Sequence, residues 1–500
     1  MSTAAGATHG APHGSTTGPG SEEKDALTGK VVLLAMVAAL GGFLFGFDSS
    51  VINGGVNAIQ EEFGLSDVLI GFVVSCALLG AMVGAWFAGT FADKVGRTRA
   101  MVVASVLFTA SALGSALCFG PWDLIFWRFV GGAGVGMASV LAPAYIAEIS
   151  PAAVRGRLGS LQQLAIVIGI FVALLVDAYL ADLAGGAAEL LWMDREAWRW
   201  MFASELVPAV LYGVLALSIP ESPRYLVNTG DLKKAGEVLR DVVGIRGKQA
   251  AQRKIEEIRT SLHREDKQSL ADLKGAAAGL KPIVWAGILL SVFQQFVGIN
   301  VIFYYGSTLW QAVGFEESQS LLINVITSIT NIVVTIVAIL LVDKIGRRRL
   351  LLWGSAGMAL SLGTMALAFS QAVTEGSGPD QTVSLPDPWG IIALVAANAF
   401  VVSFGATWGP MVWVLLGEMF PNAIRGMALG VAAAAQWLAN FVITTTFPWL
   451  AGTSLVLAYG LYAAMAALSF FFVYKVIEET KGKELEEMGD ETPATQGATA

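Results

Sequence analysis

Long apolar segments alternate with short polar ones along almost the whole chain. Twelve windows of about 20 mostly apolar residues are each long enough to cross the hydrocarbon core of a bilayer as an α-helix. They cover residues 31–53, 69–90, 100–119, 124–147, 160–181, 200–219, 283–308, 320–342, 350–372, 389–417, 427–447 and 454–475. The pattern predicts an all-α membrane protein with twelve transmembrane helices.

Composition supports this interpretation and narrows the function classes. The 500 residues are 55% hydrophobic and only 14% charged, and the mean hydropathy is +0.65. A soluble globular chain has about 25% charged residues. The sequence has no basic stripe for nucleic acid, no phosphate-binding loop, no metal-ligand cluster and no nucleophile–base pair. We therefore predict neither enzymatic activity, nor a metal or cofactor, nor nucleic-acid binding.

The cationic residues are confined to alternate loops, and this sets the orientation. Lys and Arg occur in loops 2–3, 4–5, 8–9 and 10–11 and are absent from loops 1–2, 3–4, 7–8, 9–10 and 11–12. Loop 5–6 is the exception, with Arg195 and Arg199. Because cytoplasmic loops carry the excess of Lys and Arg, both termini are predicted to be cytoplasmic. The compact, Gly/Ala-rich loops indicate a cell (inner) membrane.

The polar segments divide the chain into five parts. A polar block between spans 6 and 7 has apolar residues at helical spacing in Ala235–Val243 and Ile255–Leu262, which predicts short amphipathic helices. The predicted parts are a disordered cytoplasmic tail at 1–28, a six-helix bundle at 29–220, a cytoplasmic helical linker at 221–280, a second six-helix bundle at 281–475 and a cytoplasmic tail at 476–500.

Two loop motifs occur twice, once in each half of the chain. Asp93-Lys-Val-Gly-Arg97 recurs as Asp343-Lys-Ile-Gly-Arg347. Glu148-Ile-Ser-Pro-Ala-Ala-Val-Arg155 recurs as Glu418-Met-Phe-Pro-Asn-Ala-Ile-Arg425. The two copies occupy the same loops of each half, with the same orientation. Parallel repeats of six spans, with a site between them, are typical of a rocking transporter.

Further motifs follow in a fixed order. They are Arg128 followed by Gly131-Gly132-Ala-Gly134-Val-Gly136, then Pro220-Glu221-Ser222-Pro223-Arg224, Gln294-Gln295-Phe-Val-Gly298-Ile-Asn300, Trp408-Gly409-Pro410-Met-Val-Trp413 and Gln436-Trp437. With the repeated loops, they make the chain resemble the sugar porter family of the major facilitator superfamily, from about Gly42 to about Lys483. The resemblance implies two pseudo-symmetric six-helix bundles. One departure is Glu478, where the family usually has Pro before Glu-Thr-Lys-Gly.

Amide side chains are concentrated in the apolar segments of the second half. An amide both donates and accepts hydrogen bonds and so suits sugar hydroxyls, and an aromatic ring suits the apolar face of the sugar. By the resemblance, the sugar contacts are Gln163, Gln294, Gln295, Asn300, Asn331, Trp413 and Gln436. By the same resemblance, Phe45, Tyr304, Tyr305 and Trp437 line or gate the cavity. For any single amide, hydrogen bonding between helices is the alternative.

One position bears on which sugar is carried. Ile170 lies where facilitative glucose carriers of the family have an apolar residue and where the bacterial xylose symporter has an amide. An apolar wall fits a hexose better than a smaller pentose that needs another hydrogen bond. The sequence favours glucose and related hexoses, and pentoses and cyclic polyols such as inositol stay open.

An acid within the first span carries the energy-coupling hypothesis. Burying the lone charge of Asp48 costs roughly 2.5–3.5 kcal/mol or more, so an acid kept there indicates function. By the resemblance, proton-coupled sugar porters have an aspartate at this place. Arg128 is the only cation of span 4 and the natural counter-ion, and Glu205 joins this network by resemblance. The alternatives are a permanent ion pair of Asp48 and Arg128, and a structural pairing of Glu205 with Arg199 or Arg128.

Charged residues near the cytoplasmic ends of the spans form a predicted latch. Opposite charges at mirrored places can clamp the two halves when the inner side is closed, whereas a role in topology explains the cations but not the paired acids. The latch residues are Asp93, Arg97, Glu148, Arg155, Glu221, Arg224, Asp343, Arg347, Glu418 and Arg425.

These observations predict a proton-coupled monosaccharide symporter that imports a hexose by alternating access and functions as a monomer. Its partners are the monosaccharide, the proton and the lipid bilayer. Two alternatives stay open. A facilitative uniporter would have the same fold, and a sugar sensor would bind without appreciable transport.

Overall fold

The computed structural model describes residues 29–151, 154–245, 247–265, 270–275, 279–375, 382–421 and 424–479. Helices of the first half are α1 (Gly29–Ser50), α2 (Val56–Glu62), α3 (Asp67–Val95), α4 (Arg97–Leu117), α5 (Pro121–Ile149), α6 (Arg155–Ala184), α7 (Ala197–Ser204) and α8 (Leu206–Ser218). The linker contains α9 (Pro223–Asn228), α10 (Leu232–Asp241) and α11 (Lys248–Glu265). The second half comprises α12 (Pro282–Phe296), α13 (Ile299–Gln311), α14 (Glu317–Ile345), α15 (Arg347–Phe369), α16 (Trp389–Gly405), α17 (Trp408–Met419), α18 (Arg425–Thr453) and α19 (Leu455–Val476).

Twelve stretches of these helices are long and apolar enough to cross a membrane, which confirms the predicted architecture. Because twelve is an even number, α1 begins and α19 ends on the same side, here called the inner end. The opposite side is called the outer end. Outside the helices are two small antiparallel hairpins that the sequence did not predict, β1 (Lys274–Gly275) with β2 (Gly279–Leu280) and β3 (Val373–Glu375) with β4 (Thr382–Ser384).

Four of the twelve spans are broken. The first ends as α1 at Ser50 and continues through a 3₁₀ turn at Asn53–Gly55, here called the outer turn, into α2. The seventh breaks at Gly298, whose φ of +79° lies in the left-handed region that favours glycine. The tenth breaks at Thr407, between α16 and α17. The sixth divides at Glu205 into α7 and α8. Broken helices expose backbone groups and are typical of transporter sites.

Close helix packing explains the glycine-rich motif of α5. A Cβ atom on Gly132 would collide with the carbonyl of Ala77, and one on Gly136 with the carbonyl of Ala81. The backbones of α3 and α5 therefore touch directly. In a bilayer, where no hydrophobic effect drives helices together, such small residues provide the van der Waals packing that does.

The linker helices form a small cluster of their own. Leu226, Val227 and Ala235 are buried and pack against Ile255 and Ile258. The predicted amphipathic segment Ile255–Leu262 lies within the longer α11, whereas α10 both begins and ends earlier than the predicted segment Ala235–Val243. The predicted tail at 1–28, and residues 480–500 of the predicted C-terminal tail, lie outside the described part of the chain.

Candidate functional site

A buried ion pair joins α1 to α5. Arg128 Nη1 lies 3.2 Å from Asp48 Oδ1 and donates a hydrogen bond of 2.9 Å to the backbone oxygen of Asp48. Both residues are 1% exposed. The fold thus brings together, across 80 residues of chain, the acid and the cation that the sequence pairs. Because water does not reach these two charges, their stability depends on the ion pair and the hydrogen bonds between them.

The surroundings of the pair are tight and contain a second acid. A Cβ atom on Gly131 would lie 2.9 Å from Asp48 Oδ1, so glycine at this position lets the carboxylate approach α5. The Arg128 Cζ atom is 5.7 Å from the centre of the Phe202 ring. Glu205 is 1% exposed, and neither of its carboxyl oxygens has a hydrogen-bond partner among the described residues.

Arg199, the alternative partner of Glu205, pairs with other acids at the outer end. Its Nη2 lies 2.7 Å from Glu62 Oε1, and its Nε lies 2.6 Å from Glu196 Oε2. Partial burial raises the pKa of Glu196, but hydrogen bonds from its own backbone and from Arg199 outweigh that effect. The net result is a pKa below the usual value. Of the two cations that depart from the alternating loop pattern, Arg199 is therefore a buried structural one.

Three amides of the second half form a continuous chain at the break of the seventh span. Asn300 Nδ2 donates to Gln295 Oε1 over 2.7 Å, and Gln295 Nε2 donates to Gln294 Oε1 over 3.3 Å. Gln294 Nε2 then donates to the backbone oxygen of Trp408 over 3.0 Å, where the tenth span breaks. The chain ties two broken helices together, and one member, Asn300, is only half-buried.

The other predicted sugar contacts differ in exposure. Asn331 is 8% exposed, and its Oδ1 lies close to where a Cβ of Gly405 would be. Gln163 is half-buried. So is Gln436, whose Oε1 is buried and has no hydrogen-bond partner among the described residues. The Trp413 ring is 43% exposed.

The predicted cavity and gate residues fall into two groups. Phe45 and Trp437, one from each half, have ring centres 5.6 Å apart. Tyr305 is fully buried and donates a 3.0 Å hydrogen bond to the backbone oxygen of Thr444, so it ties α13 to α18. Tyr304 lies beside the side chains of Ser49 and Asn440. Ile170 is half-buried on α6.

The outer end is closed by hydrogen bonds between the halves, with Asn53 at their centre. Its Nδ2 donates to the backbone oxygen of Phe303 over 2.8 Å. Its Oδ1 accepts from the backbone N–H of Ser307 at 3.2 Å and from Asn324 Nδ2 at 3.0 Å. Asn57 adds two more bonds one turn further along the chain, to Thr308 and Gln311.

At the inner end, the first-half members of the predicted latch contact one another. Arg97 lies 2.7 Å from Asp93 and 3.2 Å from Glu148, and Arg224 lies 3.9 Å from Glu148. Glu221 accepts a 2.9 Å hydrogen bond from the backbone N–H of Arg97, at the start of α4. These contacts join the linker to the first bundle.

The second half repeats this arrangement. Arg347 lies 2.9 Å from Glu418 and its backbone N–H donates 2.9 Å to Glu479, the counterpart of Glu221. Arg425 donates to the backbone oxygen of Phe420 over 3.1 Å. These described pairs each join residues of one half. The side chains of the remaining predicted latch residues, Arg155 and Asp343, lie outside what the structure describes.

The chemistry of the described side chains fits binding and not catalysis. The described residues include no group of three His, Cys, Asp or Glu side chains arranged to hold a metal ion. The arrangement instead offers amides for hydroxyl groups, aromatic rings at the junction of the halves, and a buried pair whose acid can take up a proton.

Comparison with known proteins decides the family. The family described as "Sugar (and other) transporter" matches residues 34–491. The chain belongs to this sugar transporter family. A glucose transport protein from Synechocystis is 56% identical over 460 residues, which cover 92% of this chain and 97% of that protein. A D-xylose-proton symporter from Escherichia coli is 36% identical over 488 residues, covering 91% of this chain and 94% of the relative.

Solved structures agree with this membership. The transporter superposes on the partially occluded inward open conformation of the xylose transporter XylE from E. coli with a TM-score of 0.77, at 36% identity and over 91% of this chain and all of that one. The inward open conformation of XylE gives a TM-score of 0.76 at 35% identity, over 92% of this chain and 99% of that one. Hydrogen bonds at the outer end and ion pairs within each half at the inner end fit such a state.

The transporter has functional candidates that the sequence did not single out. Asn53 and Asp177 are polar residues near the outer ends of apolar spans, and only the fold shows that Asn53 bonds to the second half and that Asp177 contacts the outer turn. Gln162, next to the predicted Gln163, is 8% exposed and packs against Gly42. The repeated motif could have revealed Glu479, because it stands to the second half as Glu221 stands to the first.

Proposed function

We propose that the protein is a proton-coupled monosaccharide symporter that imports a hexose, with D-glucose as the preferred substrate. The observation that carries this proposal is the pair of Asp48 and Arg128, sealed at 1% exposure between α1 and α5. A facilitative carrier has no need of a buried acid on a moving helix, and keeping one there is costly.

The coupling follows from the chemistry of the pair. Deprotonated Asp48 is attracted to Arg128 and holds α1 against α5. A proton on the carboxyl group removes that attraction and frees α1 to move with sugar bound. Loss of the proton on the inner side restores the pair. Glu205, a second acid that is buried in the same region, belongs to this network in the proposal.

In this proposal, the amides of the second half bind the hydroxyl groups of the sugar. The chain from Asn300 through Gln295 to Gln294 offers donors and acceptors, and it is attached to the break before α17. The break can therefore move with the bound sugar, which is how broken helices serve alternating access. Gln163, Asn331, Gln436 and Trp413 supply the further contacts. Phe45 and Trp437 close over them from the two halves.

Two observations favour glucose over a pentose. Ile170 presents an apolar wall, and the relative with 56% identity is described as a glucose transport protein. The xylose symporter relatives are more distant, at 36% identity. The outer end faces the outside of the cell and both termini the cytoplasm in this proposal, because the cationic loops lie at the inner end. In the state with the inner end closed, the latch charges of the two halves face each other.

The proposal is tested by uptake of labelled glucose into proteoliposomes, with and without a proton gradient and with competing sugars. We expect accumulation that a protonophore abolishes, and inhibition by unlabelled glucose at a concentration at least about tenfold lower than by xylose or inositol. Gradient-independent equilibration would instead show a uniporter. Binding without uptake would show a sensor, and stronger inhibition by xylose would exclude glucose as the preferred sugar.

A single amide tests the sugar site. Gln295→Ala removes one link of the amide chain and is expected to raise the half-saturating glucose concentration about tenfold, since a hydrogen bond to a buried polar partner is worth roughly 1–1.5 kcal/mol. The matched control is Gln319→Ala, an exposed glutamine near the start of α14, which should leave uptake unchanged. An unaltered half-saturation in Gln295→Ala would remove this residue from the site.

A further inference from the structure

A third intramembrane acid lies apart from the coupling pair. Asp177 is near the outer end of α6 and is fully buried, with 0% exposure. Its Oδ2 accepts a 3.1 Å hydrogen bond from the backbone N–H of Gly54, in the outer turn. Its Oδ1 is buried and has no hydrogen-bond partner among the described residues. The proposed coupling scheme makes no use of this residue.

The charged groups on the neighbouring elements are engaged elsewhere. On α7, Arg199 pairs with Glu62 and Glu196. On α1, Asp48 pairs with Arg128. On α14, Glu317 accepts a 2.9 Å hydrogen bond from the backbone N–H of Ala187. The outer turn itself contains Asn53, Gly54 and Gly55 and has no charge. Asp177 thus faces a single amide donor and no described cation.

The contact is close enough to fix the outer turn in place. A Cβ atom on Gly54 would lie 2.7 Å from the Cβ of Asp177 and 2.9 Å from the sulfur of Met201, so any other residue at position 54 would separate the turn from α6. The neighbouring Asn53 makes the hydrogen bonds that join the two halves. Asp177 therefore holds the segment that closes the outer end.

We propose that Asp177 is a positioning residue of the outer gate, and that this gate closes when the Asp177 carboxyl group is protonated and opens when it is ionised. The neutral acid satisfies Gly54 with its carbonyl oxygen and leaves one hydroxyl group unpaired, whereas an ionised carboxylate enclosed behind the turn would have one donor and no counter-charge, which costs more. Opening the turn lets water reach the carboxylate and stabilises its charge. Protons at the outer surface thus promote closure.

The linkage has a definite sign and size. Since the closed state binds one proton more than the open state, raising the pH by one unit changes the ratio of open to closed carriers up to about tenfold in favour of opening. The proposal rests on alternating access as proposed above, but it requires neither a particular sugar nor proton coupling through Asp48.

Spin labels on the full chain in lipid nanodiscs test it without any sugar. Glu61→Cys on α2 and Ser318→Cys on α14 place one label on each half at exposed positions of the outer end, and the native Cys76 and Cys118 are buried. Distances between the labels, measured by pulsed electron paramagnetic resonance between about pH 5.5 and 8.5, should show an open population that rises with pH. Asp177→Asn should stay closed at every pH, because its amide oxygen still accepts from Gly54 and carries no charge.

Two further variants make the test decisive. Asp48→Asn should keep the pH dependence of the label distance, which assigns it to Asp177. Gly54→Ala should be open at every pH, with Gly89→Ala as the control, because a Cβ there meets no atom within 4 Å. A pH-independent distance in the parent, a parent-like profile in Asp177→Asn, a flat profile in Asp48→Asn, or a Gly54→Ala that closes as the parent does would each overturn the proposal. Sugar uptake by the same variants, measured separately, distinguishes such a failure from failure of the symport mechanism.

Discussion

Replacing Asp48 with Asn is expected to abolish accumulation of sugar against its gradient while exchange of sugar across the membrane continues. One charge moved through 100 mV is worth roughly 2.3 kcal/mol, which supports about 50-fold accumulation at one proton per sugar. The variant has no proton site in the pair, so its internal sugar concentration should only reach the external one.

The variant should fold, because the rest of the pair's environment is intact. Arg128 keeps its hydrogen bond to the backbone oxygen of residue 48 and its place beside Phe202. Glu205 remains buried in the same region. Counterflow of labelled sugar in proteoliposomes measures the retained exchange, and uptake driven by an imposed pH gradient measures the lost coupling.

Asp182→Asn is the matched control for this experiment. Asp182 is an exposed acid at the outer end of α6, and its substitution should leave both measurements unchanged. If accumulation survives in Asp48→Asn, the buried pair is a permanent structural one and the protein takes its energy coupling from another site. If both exchange and accumulation are lost, counterflow in the double variant Asp48→Asn/Arg128→Gln tells whether an unpaired cation is the cause.

Asn53→Ala is expected to shift the carrier from outer-closed to outer-open. The side chain makes three hydrogen bonds to the second half, to Phe303, Ser307 and Asn324. At about 1 kcal/mol each, their loss should change the ratio of open to closed carriers roughly 100-fold, since about 1.4 kcal/mol corresponds to a factor of ten. The partners left behind can be hydrated only when the outer end opens, which adds to the effect.

The distance between labels at Glu61→Cys and Ser318→Cys measures this shift directly. Asn398→Ala is the control, because Asn398 donates to Leu394 within its own helix and makes no described bond between the halves. Uptake should fall in Asn53→Ala, because every transport cycle passes through the outer-closed state. A label distance equal to that of the parent would show that packing between the halves, and not the Asn53 bonds, closes this end.

Much of the fold could be read from the order of apolar and polar residues. Twelve apolar windows were long enough to require helices, because the bilayer leaves a backbone no other way to satisfy its hydrogen bonds. The break in the outer turn was missed, since apolar residues continue on both sides of it and a hydropathy window averages over them. The two small hairpins were missed because they lie in polar loops with weak strand patterns.

The candidate site was predictable only at residues whose burial in the membrane costs so much free energy that they are conspicuous in the sequence. Asp48 and Arg128 met this condition, because a charge is rare in an apolar span. Asp177 belongs to the same class, yet it lies near the end of its span, where the sequence cannot distinguish a buried acid from one that reaches water. Asn53 carries no charge at all, and its importance comes from three partners that are about 250 residues or more away in the chain.

The sequence by itself determined that this chain is a twelve-span, two-half sugar transporter. Spans, repeats and motifs are local or periodic patterns, and they can be recognised in the sequence alone. Only the tertiary structure decided which end of the carrier is closed, which polar residues close it and which charges pair within a half. Those outcomes depend on contacts between distant segments. The alternative pairings differ in free energy by only about the contribution of a few hydrogen bonds. Such small differences are set by helix packing and breaks that no single stretch of sequence contains.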